Sequence, residues 1–107
     1  MNLAPLDRLG SLVDRKDYAL DCGFTLNSLS HLDGGGTYFK DDFVHAVKTY
    51  GKTKYSRGFE WCAGFGMIGF ELLGMNIVEH ISFSDYYDRA IEDCLQNAKR
   101  DRKSTRL

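Results

Sequence analysis

Residues 59–70 read Phe-Glu-Trp-Cys-Ala-Gly-Phe-Gly-Met-Ile-Gly-Phe. A tight turn requires one or two glycines. This stretch carries Gly64, Gly66 and Gly69, with a carboxylate at Glu60 ahead of them and apolar residues behind. Phe59 to Cys62 reads as a short strand rich in aromatics, and Met67 to Leu73 as a helix closed by Gly74. A strand that enters a glycine turn and then a helix N-terminus is a ready place for a nucleotide-like ligand. The glycines let backbone approach the ligand, and unpaired N–H groups point at its acceptor atoms. The stretch therefore predicts backbone packed against something other than protein.

Working outward, His80 to Ser84 is the next strand: Ile81 and Phe83 alternate with polar neighbours, and Asp85 stands at its end. Ile91, Cys94, Leu95 and Ala98 recur at i, i+3, i+4 and i+7 and predict a helix, with Asp88 placed as N-cap and Lys99 and Arg100 at the negative end of its dipole. Upstream, Asp33-Gly-Gly-Gly-Thr37 is a loop leading to a helix start at Asp41-Asp42. Phe43, Val44, Val47 and Tyr50 form that helix's apolar stripe, Gly51 ends it, and Lys52 to Gly58 reads as a polar connector. Leu6, Leu9, Leu12 and Val13 also have helical spacing. Strands alternating with helices predict βαβ units and a parallel sheet. Only two strands are legible, however, and such a sheet exposes both edges, so marginal stability is expected for it alone.

Composition narrows the class. The 107 residues fit one domain or a piece of one, and 43% apolar with 27% charged residues excludes a disordered or collagen-like chain. A formal net charge of −1 creates no field that would draw the whole molecule onto nucleic acid or a membrane. The basic tail, Lys99 to Arg106, reads as a solvated helix end, with RNA contact as its alternative. No apolar run approaches the ~18 residues of a membrane span, and the N-terminus lacks the pattern of a signal peptide. Cys22, Cys62 and Cys94 are odd in number and widely spaced, which fits a reducing, cytoplasmic setting rather than a disulfide framework. His31, His45 and His80 are equally scattered, with no spacing that suggests zinc or a Cys–His pair.

Gly64-Phe-Gly66-Met-Ile-Gly69 matches G-x-G-x-x-G, and Asp85 follows Gly66 by 19 residues, near the ~20 at which an acid accepts ribose hydroxyls in dinucleotide-binding units. With Glu60 included, Glu60-Trp-Cys62-Ala-Gly64-Phe-Gly66 resembles motif I of the Rossmann-like, S-adenosylmethionine (SAM) dependent methyltransferases, [D/E]-x-G-x-G-x-G. A carboxylate beside the glycines suits the sulfonium and ammonium of SAM and repels a pyrophosphate. The stretch is similar to a bacterial subgroup with E-W-C-A-G-x-G-x-I-G-F here. The segment Ile81 to Ile91, followed by Asn97-Ala98, is similar to the family's second strand, ribose acid and helix. Gly34 to Phe39 is similar to an approach loop that some members fold over the cofactor.

The resemblance implies an α/β, Rossmann-like parallel sheet with flanking helices, apparently truncated after the second βα unit. It implies a helical or irregular extension over residues 1–33 and a partial SAM-binding domain over 34–107. Glu60, Ala63, Gly64 and Gly66 would face the methionine part of SAM, with Cys62 and Phe65 in the same contact stretch. Asp85 would bind the ribose diol, Tyr86 would lie along the adenosine, and Thr37 would reach the cofactor's amino-acid end. SAM and S-adenosylhomocysteine are the implied ligands. Two departures stand out. Cys62 replaces the motif's first glycine, which matters if that position needs φ > 0. The chain also lacks the later strand that carries Asn/Asp-Pro-Pro-Tyr in amide and amino methylators, so no catalytic residue is assigned. Two other readings stay open: a nicotinamide-dependent oxidoreductase fragment on the same turn, and a non-catalytic interaction subunit that self-associates through its open sheet edges.

Overall fold

The computed structural model describes residues 15–29, 32 and 36–100. Among them are four strands and three helices: β1 (Arg15–Ala19), β2 (Thr25–Leu29), α1 (Gly36–Tyr50), β3 (Tyr55–Glu60), α2 (Met67–Gly74), β4 (Val78–Phe83) and α3 (Asp88–Arg100). β1 and β2 form an antiparallel hairpin, and β3 and β4 a separate parallel pair in which Gly58 faces Ile81 and Glu60 faces Phe83. The molecule is thus a small mixed α/β fold with one parallel pair. The helical spacing noted over Leu3 to Val13 lies outside the described residues.

The β3–α2–β4 unit is the predicted strand–turn–helix–strand, with both strands starting earlier than their sequence reading. Tyr55 to Gly58, read as connector, is strand. α2 is buried nearly all round, at Met67, Gly69, Phe70, Glu71, Leu72 and Leu73, as an apolar helix must be when it is covered on several sides. Phe65 and Phe70 are essentially inaccessible to solvent, and burying each contributes roughly 1.5–3 kcal/mol. α1 starts at Gly36, about one and a half turns before Asp41-Asp42. It ends where predicted, with the Gly51 N–H bonded to the Val47 carbonyl at 2.8 Å.

Residues 15–29, read as part of a helical or irregular extension, form the hairpin. Its turn closes through Leu20 N–H to Phe24 O (2.8 Å) and Gly23 N–H to Leu20 O (3.0 Å), with Gly23 at φ 104°. Leu20, Phe24, Leu26 and Leu29 lie in the same core as α2 and β4. β2 meets α3 through an unusual polar seam. The Asn97 side chain accepts the Asn27 N–H at 2.9 Å and donates to the Asn27 carbonyl at 3.3 Å, so one amide stands in for a neighbouring strand. Asp93 accepts the hydroxyl of buried Ser28 and pairs with Arg15. This seam corrects the predicted stripe of α3. The buried face runs through Ala90, Asp93, Cys94, Asn97 and Ala98, whereas Leu95 is 57% exposed. Buried polar groups are tolerated there because each has a partner.

Candidate functional site

The glycine turn joins the C-terminal end of β3 to α2, beside the C-terminal end of the parallel strand β4. Three residues hold left-handed φ within five positions: Cys62 at 50°, Gly64 at 60° and Gly66 at 92°. Only glycine occupies that region freely. Cys62 therefore bears the strain that its replacement of a motif glycine would bring, and it does so as an exposed residue with a free thiol.

The expectation of unpaired amides is not met at three positions. The Ala63 N–H bonds to the Ser84 carbonyl (2.9 Å), the Gly66 N–H to the Ala63 carbonyl (2.9 Å), and the Gly64 N–H to Asp85 Oδ2 (2.8 Å). Ala63, Phe65 and Met67 are buried. The later glycines answer to protein neighbours as well. A Cβ on Gly66 would lie 2.9 Å from the Phe70 ring, and one on Gly69 would strike Phe83 and come within 2.8 Å of Glu60 Oε1. Close helix–strand approach accounts for both glycines.

Glu60 is pinned beneath α2, where its Oε1 accepts the Gly69 N–H at 2.9 Å. Burial pushes its carboxyl up to about 7, and the Gly69 bond only partly opposes this. At neutral pH the group is therefore about half protonated, which weakens the argument that its charge alone would repel a pyrophosphate.

Asp85 is the hinge of the site. Besides Gly64, it accepts the Tyr87 N–H on Oδ1 at 2.9 Å. Each carboxylate oxygen has two lone pairs, so both retain room to accept a hydroxyl. Tyr86, next to it, is fully exposed. Cys94, read from its helical position as core, is buried and donates its thiol to the Gly64 carbonyl at 3.3 Å. Burial first, then the carboxylates of Glu60, Asp93 and Asp85, raise that thiol to about 12 and keep it protonated as a donor. Ser84, read from the sequence only as the end of a strand, ties the two strands' ends together: its N–H donates to the Glu60 carbonyl at 2.9 Å and its carbonyl accepts the Ala63 N–H.

Glu60, Ala63, Gly64, Phe65, Gly66 and Asp85 are thus gathered around one turn, with Cys62 and Tyr86 exposed beside it. Thr37 is exposed in the first turn of α1 and is not among the residues these bonds join. Trp61 is 75% exposed and packs edge-on against Phe59, 4.9 Å between ring centroids. No helix among the described residues is long and apolar enough to cross a membrane. Comparison with family models, with curated proteins and with solved structures finds no match to this chain.

Proposed function

We propose that this chain is the cofactor-binding portion of a SAM-dependent methyltransferase, with the turn at Cys62–Gly66 and Asp85 as the cofactor site. One observation carries the reading: the distal acid and the glycine turn are in direct contact through the Gly64 N–H and Asp85 Oδ2, at the carboxyl ends of two parallel strands, where α/β sheets hold ligands. Among ligands that suit such a turn, the consumed amides favour SAM. A pyrophosphate needs N–H donors, and those of Ala63, Gly64 and Gly66 are already bonded within the protein. An ammonium needs acceptors and a sulfonium needs negative charge or dipoles nearby, and the turn offers carbonyls with spare lone pairs beside the Asp85 carboxylate. Asp85 would take the ribose hydroxyls and Tyr86 would cover the adenine. The bound cofactor would supply an activated methyl group, whose transfer rests mainly on positioning and exclusion of water.

Calorimetric titration with S-adenosylhomocysteine, with NADH in parallel, tests this. Tyr86→Ala is the cleanest variant, because a fully exposed side chain leaves the fold untouched when removed. Stacking on a base is worth ~1–3 kcal/mol, so S-adenosylhomocysteine affinity should fall about fivefold or more while the melting temperature stays unchanged. Asp85→Asn should weaken binding as well, with some loss of stability, since Asp85 also holds Gly64 and Tyr87. NADH binding without S-adenosylhomocysteine binding would replace the proposal by the nicotinamide reading. Binding of neither by folded protein would refute both.

A further inference from the structure

Parallel sheets are found with both faces covered and their edges paired, and β3 meets neither condition among the described residues. It pairs only with β4. The Tyr55 N–H is directed to β4, at the Ile77 carbonyl (2.7 Å). Because polar groups alternate between the two sides of a strand in a parallel ladder, Ser56 and Gly58 turn theirs to the open edge. Beside that edge runs an apolar groove of about 230 Å³, to which α1 contributes Phe43 and Val47 and α2 contributes Ile68 and Leu72. Arg57 and Phe59, two positions apart on β3, are exposed, Phe59 at 56%, and Trp61 in the turn just past the strand is 75% exposed.

This strand is complementary to itself. Two copies of Tyr55-Ser-Arg-Gly-Phe-Glu60, run antiparallel about a twofold axis at Gly58, keep each residue on its own face. Gly58 then opposes Gly58, and the two exchange the outward N–H and carbonyl. Ser56 opposes Glu60. Arg57 opposes Phe59, both of them exposed. The Arg57–Phe59 pairs fall at the narrow, non-hydrogen-bonded positions, where side chains are closest and a guanidinium can lie over a ring. No like charges stand directly opposite each other, and a net charge of −1 per chain opposes association only weakly.

We propose that a second copy of this chain docks on β3, joining β4-β3 to β3-β4 as one continuous four-stranded sheet with Arg57 and Phe59 as its reciprocal contact. The interface is isologous, so it closes as a dimer and leaves no further β3 edge to extend. It does not depend on the cofactor reading.

The test is the mass in solution by light scattering and sedimentation over a concentration series, together with amide exchange. Wild-type protein should move with concentration from the 12.2 kDa chain to twice that mass. The Gly58 amide should exchange more slowly as it does. Phe59→Arg sets Arg57 of one copy against an arginine of the other, and should weaken association at least about tenfold without changing the circular dichroism. The swap Arg57→Phe with Phe59→Arg restores the pairs and should restore the dimer. A monomer at every concentration overturns the proposal. So does a dimer whose Gly58 amide exchanges as freely as in the monomer, or one indifferent to Phe59→Arg. If Phe59→Arg fails to fold, the wild-type exchange measurement still decides.

Discussion

Glu60 occupies the position where a motif acid was expected, yet its surroundings make it a titrating group at neutral pH. Its carboxyl rises from an ordinary 4.5 to about 7 because it is buried. Between those values the folded chain holds a proton that the unfolded chain has released, so stability falls as pH rises through this window. The contribution is intact below about 4.5 and lost above about 7, with an upper bound of ~3 kcal/mol. Glu60→Gln keeps the acceptor for Gly69 and cannot ionise. Its melting temperature should match the wild type at pH 4.5 and exceed it at pH 8; equal values at both would mean that Glu60 stays accessible to water. At this scale the glycines and the spacing to Asp85 were legible in the sequence. The positive φ of Cys62 and the capture of the Ala63 and Gly64 amides were not, the partners of those amides, Ser84 and Asp85, lying more than twenty residues away along the chain.

Among the elements, the parallel pair was legible because its strands hold aromatic and β-branched residues between glycine punctuation. The hairpin was not. β1 is Arg-Lys-Asp-Tyr-Ala, almost wholly exposed, and β2 buries a serine between leucines, so neither alternates in hydrophobicity. The turn Asp21-Cys22-Gly23 was its remaining signal. The rotation of α3 was hidden for the same reason, since its inward face carries Asp93 and Asn97 and their value appears only once β2 is beside them. Asn97→Ala should orphan the Asn27 N–H and carbonyl together. At ~1–3 kcal/mol for each unsatisfied group, denaturant unfolding should report a loss of about 2–6 kcal/mol; a loss below ~1 kcal/mol would show that water replaces the amide.

Across the whole molecule, one buried charge joins three elements. Glu71 of α2, with a side chain 2% exposed, receives Lys40 of α1 at 3.1 Å and the Asp21 N–H of the hairpin turn at 3.0 Å, both on Oε1. Burial alone would lower the Lys40 ammonium, but its bonds to Glu71 and Asp41 outweigh that and hold it above its usual value. Lys40→Met leaves the Glu71 carboxylate without its cation and should cost ~3–5 kcal/mol. The double variant Lys40→Met with Glu71→Leu should recover most of it. If the single variant melts with the wild type, the pair does not link these elements energetically.

The polar seam between β2 and α3 also sets an order of events in time. Asn27 and Asn97 are 70 residues apart in the chain, whereas the hairpin turn and the β3–α2–β4 crossover close over short distances. Local contacts form first and long-range ones wait for loop closure. During synthesis at ~5–20 residues per second, Asn27 emerges roughly 4–14 s before its partner. Throughout that interval the outer edge of β2 is bare, and a nascent chain or a neighbouring one can pair with it before Asn97 arrives.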